Sequence, residues 1–120
     1  MVKRVVTVGS VAVSTLALAV GVAMAKGDGA KGKATYDQMC ASCHGTTGKG
    51  DGPAAAALSP KPQNFSDKAY MSKLKDDYIQ KIIKEGGQAV GKSPMMPPMG
   101  GALKEADFEN VAAYIHSLAK

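Results

Sequence analysis

Both cysteines of this 120-residue chain fall in one stretch, Met39 to Gly50, MCASCHGTTGKG, which also holds one of its two histidines. Cys40 and Cys43 are three residues apart, and His44 follows at once. Two thiols and an imidazole at this spacing allow three kinds of chemistry. They can cycle between dithiol and disulfide, hold a metal ion, or anchor a larger group.

A dithiol switch of the thioredoxin kind sits beside a βαβ pattern. Nothing after residue 25 alternates β-branched and polar residues as a strand would. A structural zinc site takes four ligands. Adjacent Cys43 and His44 share one tetrahedral ion awkwardly, and the distant His116 would have to complete the set. Cys-x-x-Cys-His is also the attachment motif of c-type haem. There the two thiols add to the two porphyrin vinyl groups and form thioethers. A three-residue separation on a helical end spans those vinyls, and the next residue, His44, lies beneath the iron with a ring nitrogen in reach.

The start of the chain agrees with this third chemistry. Lys3 and Arg4 are followed by an uncharged run from Val5 to Ala25, ending in the small-x-small triplet Ala23-Met24-Ala25. That is the layout of a secretory signal peptide, cleaved after Ala25. The run is long enough to span a membrane, but Thr7, Ser10, Ser14 and Thr15 interrupt it, so a retained anchor is the less favoured reading. Residues 26–120 would then form one domain in the bacterial periplasm, where haem attachment takes place. Without Lys3 and Arg4 the net charge falls from +5 to +3. No Lys/Arg run exists and aromatics are few, which argues against nucleic acid. A weak attraction to acidic protein surfaces fits better.

The elements that must position the motif are helical. Gly32, Tyr36, Met39, Cys40 and Cys43 share one face of a helix expected over residues 29–43, with Asp28 as its N-cap. Gly32 inside a helix costs about 1 kcal/mol relative to Ala, which a close approach by another helix would explain. Ile79, Ile82 and Ile83 stripe a second helix over residues 76–85, stopped by Gly86-Gly87. Phe108, Val111, Ala112, Ile115 and Leu118 stripe a third over residues 105–118. Lys104 is a poor N-cap, so that start is expected to fray. Lys68 to Ser72 reads as one short helical turn. The segments between are rich in Gly and Pro and read as long loops, which in so small a domain carry function. The class is all-α. Six aromatics and no Trp make a thin core, and something other than side chains is expected to fill the middle.

With Cys40, Cys43 and His44 closing a first helix, Gly32 and Tyr36 within it, and MPPMGGAL before the last, the chain resembles the class I c-type cytochromes over residues 28–120. The motif's place near the mature N-terminus separates it from the four-helix-bundle cytochromes. The resemblance implies three main helices around one haem c, covalently held by Cys40 and Cys43. It implies that Gly32 and Tyr36 cross the last helix near Val111 and Tyr114. His44 and Met96 would be the axial ligands. Met96 matches the family's Met-Pro-x-x-Gly-Gly pattern, and Pro97 holds it extended. Met95 and Met99 read as filler, Met39 is tied to the proximal side by Cys40, and His116 reads as a solvated residue. Pro53 resembles the proline whose carbonyl accepts a hydrogen bond from the proximal histidine. Tyr70, Tyr78 and Asn64 are further candidates to approach the haem.

The function so implied is that of a monomeric electron carrier serving redox partner proteins, not an enzyme. Two filled axial positions leave no site for oxygen, and a thioether ligand favours Fe(II) and a positive potential. Lys49 and Lys92, near the two ligand segments, are candidates for docking an acidic partner. Two other classes remain open: a peroxidase or gas-binding domain with His44 alone on the iron, and a fixed subunit of a membrane oxidoreductase.

Overall fold

The computed structural model describes Gly9 and residues 27–120. Among these, helices occur at Gly29–Met39 (α1), Ala41–His44 (α2), Lys68–Met71 (α3), Asp76–Glu85 (α4) and Glu105–Ser117 (α5), with 3-10 turns at Ala55–Ala57 and Gly87–Val90 and no strand. The expected signal peptide, Gly9 apart, and its expected cleavage point lie outside the described residues.

Asp28 caps α1 as its position suggested. Its carboxylate accepts the Ala30 N–H at 2.9 Å and the Lys31 N–H at 3.3 Å. Its own N–H donates to Asn110 Oδ1 at 2.7 Å, tying the start of α1 to α5. The two helices then cross at Gly32. A Cβ there would overlap the Asn110 carbonyl, so the residue that weakens α1 locally is the one that lets the backbones touch. One turn on, Tyr36 is fully buried, its ring edge-on to Tyr114 at 5.1 Å.

α1 is shorter than its sequence pattern suggests. The helix is interrupted at Cys40, whose φ widens to −116° while its backbone stays right-handed, and the chain restarts as α2. The Tyr36 hydroxyl donates to the Gly45 carbonyl at 2.7 Å, just beyond α2. Cys40 therefore sits at the junction of the two helical pieces, and Cys43 and His44 lie within the second.

α4 has the expected bounds, with Ile79 and Ile83 buried. α5 buries Phe108, Val111, Ala112 and Ile115 and ends one residue early, at Ser117. Its start does not depend on a Lys104 side chain. The Asp107 carboxylate accepts the Lys104 N–H at 2.9 Å, and the Asp107 N–H donates to the Lys104 carbonyl at 2.9 Å. That is half of a capping box. Lys84 of α4 pairs with Glu105 and lies 5.7 Å over the Phe108 ring, clamping α4 to α5. The packed core is small, with Tyr36, Phe108, Met71 and Val111 its largest fully buried side chains.

Candidate functional site

One cavity of about 770 Å³ brings distant segments together. Cys40, Cys43 and His44 line it from α2 and the turn before it. Leu74, Ile79, Ile82 and Ile83 line it from α4 and the turn leading in, and Met96 from the loop before α5. Residues more than fifty positions apart in the chain thus face a common, mostly apolar space. Its volume lies in the range of sites that bury a large organic ligand.

The two thiols are unpaired with each other. Burial, with the neighbouring Cys43 adding to it, pushes the Cys40 thiol up to about 11. That is the opposite of the lowered value a redox-active dithiol needs. No group of three or more His, Cys, Asp or Glu side chains that could hold a metal ion occurs among the described residues.

His44 is held differently from either case. Burial lowers its pKa and so favours the neutral imidazole, against a smaller opposing effect of its hydrogen bond. Its Nδ1 lies 3.3 Å from the Gln63 carbonyl, which can only accept, so the proton belongs on Nδ1 and Nε2 keeps its lone pair. The Phe65 ring stacks on the imidazole, centroids 4.5 Å apart and planes 18° apart.

Pro53 does not have the expected place. It is absent from the cavity lining, and the carbonyl facing His44 belongs to Gln63. The residues flanking Pro53 explain its position. The Gly52 N–H donates to the Cys43 carbonyl at 3.1 Å and the Ala54 N–H to the Ser42 carbonyl at 2.8 Å. The proline segment thus braces the cysteine turn from its backbone side.

All three neighbouring methionines line the cavity, with different exposure. Met95 is 59% exposed, whereas Met96 is half-buried. The Met96 carbonyl accepts the Gly87 N–H at 2.9 Å, and the Met99 N–H donates to the Ile83 carbonyl at 2.8 Å, so the loop is pinned to the end of α4. Tyr70, Lys61 and Lys92 also line the cavity; Tyr78, Asn64 and Lys49 do not. His116 faces elsewhere: its Nε2 is 2.9 Å from Asp76 Oδ1 but makes no aligned hydrogen bond. Gln63, Phe65 and Lys61 were not evident from sequence. The only cue was an aromatic closing the Pro-rich run PKPQNF.

Residues 29–119 match the family model Cytochrome c. The chain belongs to the cytochrome c family. It is 36% identical over 94 residues to cytochrome c-554(547) of Halothiobacillus neapolitanus, a match spanning 77% of this chain and 98% of that one. It is 32% identical to the cbb3-type oxidase subunit CcoP of Azospirillum sp. (strain B510), covering 82% of this chain but 31% of the subunit. Among solved structures it is similar to the KustC0563 c-type cytochrome, with a TM-score of 0.61 at 26% identity, over 78% of this chain and 99% of that one. The reducing HAO-like complex Kustc0457/Kustc0458 of Kuenenia stuttgartiensis also matches, with a TM-score of 0.63 at 28% identity, over 82% of this chain and 46% of that one. This is the all-α class I cytochrome fold, and its work is haem-based electron transfer. The family's cofactor is covalent haem c. The site fits it: two thiols at the attachment spacing, a neutral imidazole and a mostly apolar cavity lie together. No helix among the described residues is long and apolar enough to cross a membrane.

Proposed function

We propose that this cytochrome is a one-electron carrier, exported to the periplasm as residues 26–120 after loss of residues 1–25, and that it works as a monomer between redox partner proteins. The observation that carries this reading is the convergence of Cys40, Cys43, His44 and Met96 on one mostly apolar cavity. Bound haem c supplies a one-electron Fe(III)/Fe(II) couple. The chain's residues do the rest. Cys40 and Cys43 anchor the macrocycle through thioethers. His44 offers Nε2 to the iron while its Nδ1–H donates to Gln63. Met96 would offer the iron its thioether, a soft sulfur donor that would favour the reduced state. The Leu and Ile side chains around them exclude water, which keeps reorganisation small on electron transfer.

Lys61 and Lys92 stand where the cavity meets the surface, and a net charge of +3 on residues 26–120 favours an acidic partner. Lys49, outside the lining, is exposed. The likeness to oxidase subunits supports a second reading, in which the chain serves as a fixed electron-transfer subunit.

A spectroelectrochemical titration of the purified holoprotein tests the carrier function. It should follow a single one-electron wave, and carbon monoxide should leave the reduced spectrum unchanged. A high-spin iron that takes up carbon monoxide would instead favour an enzyme or gas-binding domain. The intact mass should match a chain beginning at Lys26; a retained first segment would favour the fixed subunit.

A further inference from the structure

We propose that Phe65 is a positioning residue for the His44 imidazole, and that together with the Gln63 carbonyl it sets the plane in which that ring meets the iron. The inference rests on His44 being an iron ligand.

An imidazole held through Nε2 could still turn about that bond by coupled changes in its two side-chain torsions, the outer of which has broad wells. The hydrogen bond to Gln63, at 3.3 Å, limits where Nδ1 points but holds the ring plane loosely. A flat aromatic face 4.5 Å away and 18° from parallel removes that remaining freedom, because rotation would drive an imidazole edge into the phenyl ring. Both restraints come from one short segment, with Gln63 two residues before Phe65.

That segment is itself fixed. The Phe65 N–H donates to the Gly48 carbonyl at 2.6 Å. Gly48, at φ +75°, has no side chain; a Cβ there would come within 3.2 Å of the Phe65 Cβ and 2.7 Å of Leu118 Cδ1. The Phe65 ring also meets Tyr36 edge-on at 6.5 Å, and Tyr36 is locked in the α1–α5 crossing. The ring plane of His44 is thus referred through Phe65 and Tyr36 to the close α1–α5 crossing. The plane of an axial imidazole decides which iron d orbitals it raises, and so how unpaired spin spreads over the macrocycle in the oxidised state.

The test is the pattern of the four haem methyl proton resonances in NMR spectra of the oxidised holoprotein. Phe65→Leu should change their order or spread, while Phe65→Tyr, which keeps the stack, should restore the wild-type pattern. Phe108→Leu is the control for general loosening. Phe108 is buried but does not line the cavity, so its loss should lower stability and leave the pattern alone. An unchanged pattern in Phe65→Leu, or an equal change in Phe108→Leu, would overturn the inference. Should Phe65→Leu not fold, the reduced wild-type protein decides: a nuclear Overhauser effect between the His44 and Phe65 ring protons is expected, and its absence overturns the proposal. A wild-type spectrum without histidine ligation would remove the ligand assignment, and this inference with it.

Discussion

Met95, Met96 and Met99 lie within five residues and all line the cavity, so proximity does not choose among them. Exposure sets only Met95 apart, since Met96 and Met99 are both half-buried; the choice of Met96 over Met99 rests on the Met-Pro-x-x-Gly-Gly pattern. Met96 is half-buried and its carbonyl is held by Gly87, whereas Met95 is largely exposed and Met99 is tied through its N–H to the last turn of α4. If the Met96 sulfur binds the iron, the oxidised protein should show the weak sulfur-to-iron charge-transfer band at about 700 nm. Met96→Ala should abolish that band, lower the potential and admit carbon monoxide or azide. Met95→Ala and Met99→Ala should keep the band. Loss of the band in either of those variants, with retention in Met96→Ala, would transfer the ligand role. Much of this was legible in sequence, because Cys40, Cys43 and His44 form a contiguous motif and Met96 sits in a recognisable loop. The partner of His44 was not. The Gln63 carbonyl reaches it across nineteen residues of loop, and a backbone carbonyl carries no residue-type signal.

At the scale of the helices, periodicity was informative where one face packs against protein. α4 and α5 have the expected cores, and Gly32 marks the crossing it was expected to mark. The break of α1 at Cys40 was not visible, because the apolar face continues through it and only the backbone turns. The weak cap at Lys104 is met from the other direction: Asp107, three residues on, accepts the Lys104 N–H, while its own N–H, which a cap side chain would take, donates to the Lys104 carbonyl. The α1–α5 crossing has a direct test. Gly32→Ala places a Cβ against the Asn110 carbonyl, and the helices must separate. Overpacking of this kind costs about 1–3 kcal/mol, read as a lower guanidinium unfolding midpoint. Gly101→Ala, where a Cβ meets nothing within 4 Å, should leave the midpoint within error. Equal midpoints for the two variants would mean that the crossing absorbs a methyl group without strain.

At the scale of the whole molecule, apolar side chains serve two masters. Tyr36, Phe108, Val111 and Ala112 pack among themselves where α1, α4 and α5 meet. Ile82, Leu74 and Met96, with one side of Ile79, Ile83 and Ile115, face the cavity instead. The side-chain core is therefore thin, and bound haem would be the surface against which the second set is buried. Binding to the native chain and not to the unfolded one stabilises the fold by linkage, and thioether attachment makes that contribution permanent. Cys40→Ala combined with Cys43→Ala removes both anchors and otherwise trims only the Cys40 contact with the core and the Ser42 hydroxyl contact with the Cys43 sulfur. The expected product is a chain with much reduced far-ultraviolet helical signal, rapid proteolysis and low yield. The single variants should retain one thioether and intermediate stability. Helicity is the deciding measurement, because the α1–α5 crossing and the Asp28 cap are untouched by the substitutions. A double variant that is haem-free yet helical and cooperatively unfolding would show that the side-chain core suffices alone, and that the haem is cargo of this fold rather than part of its interior.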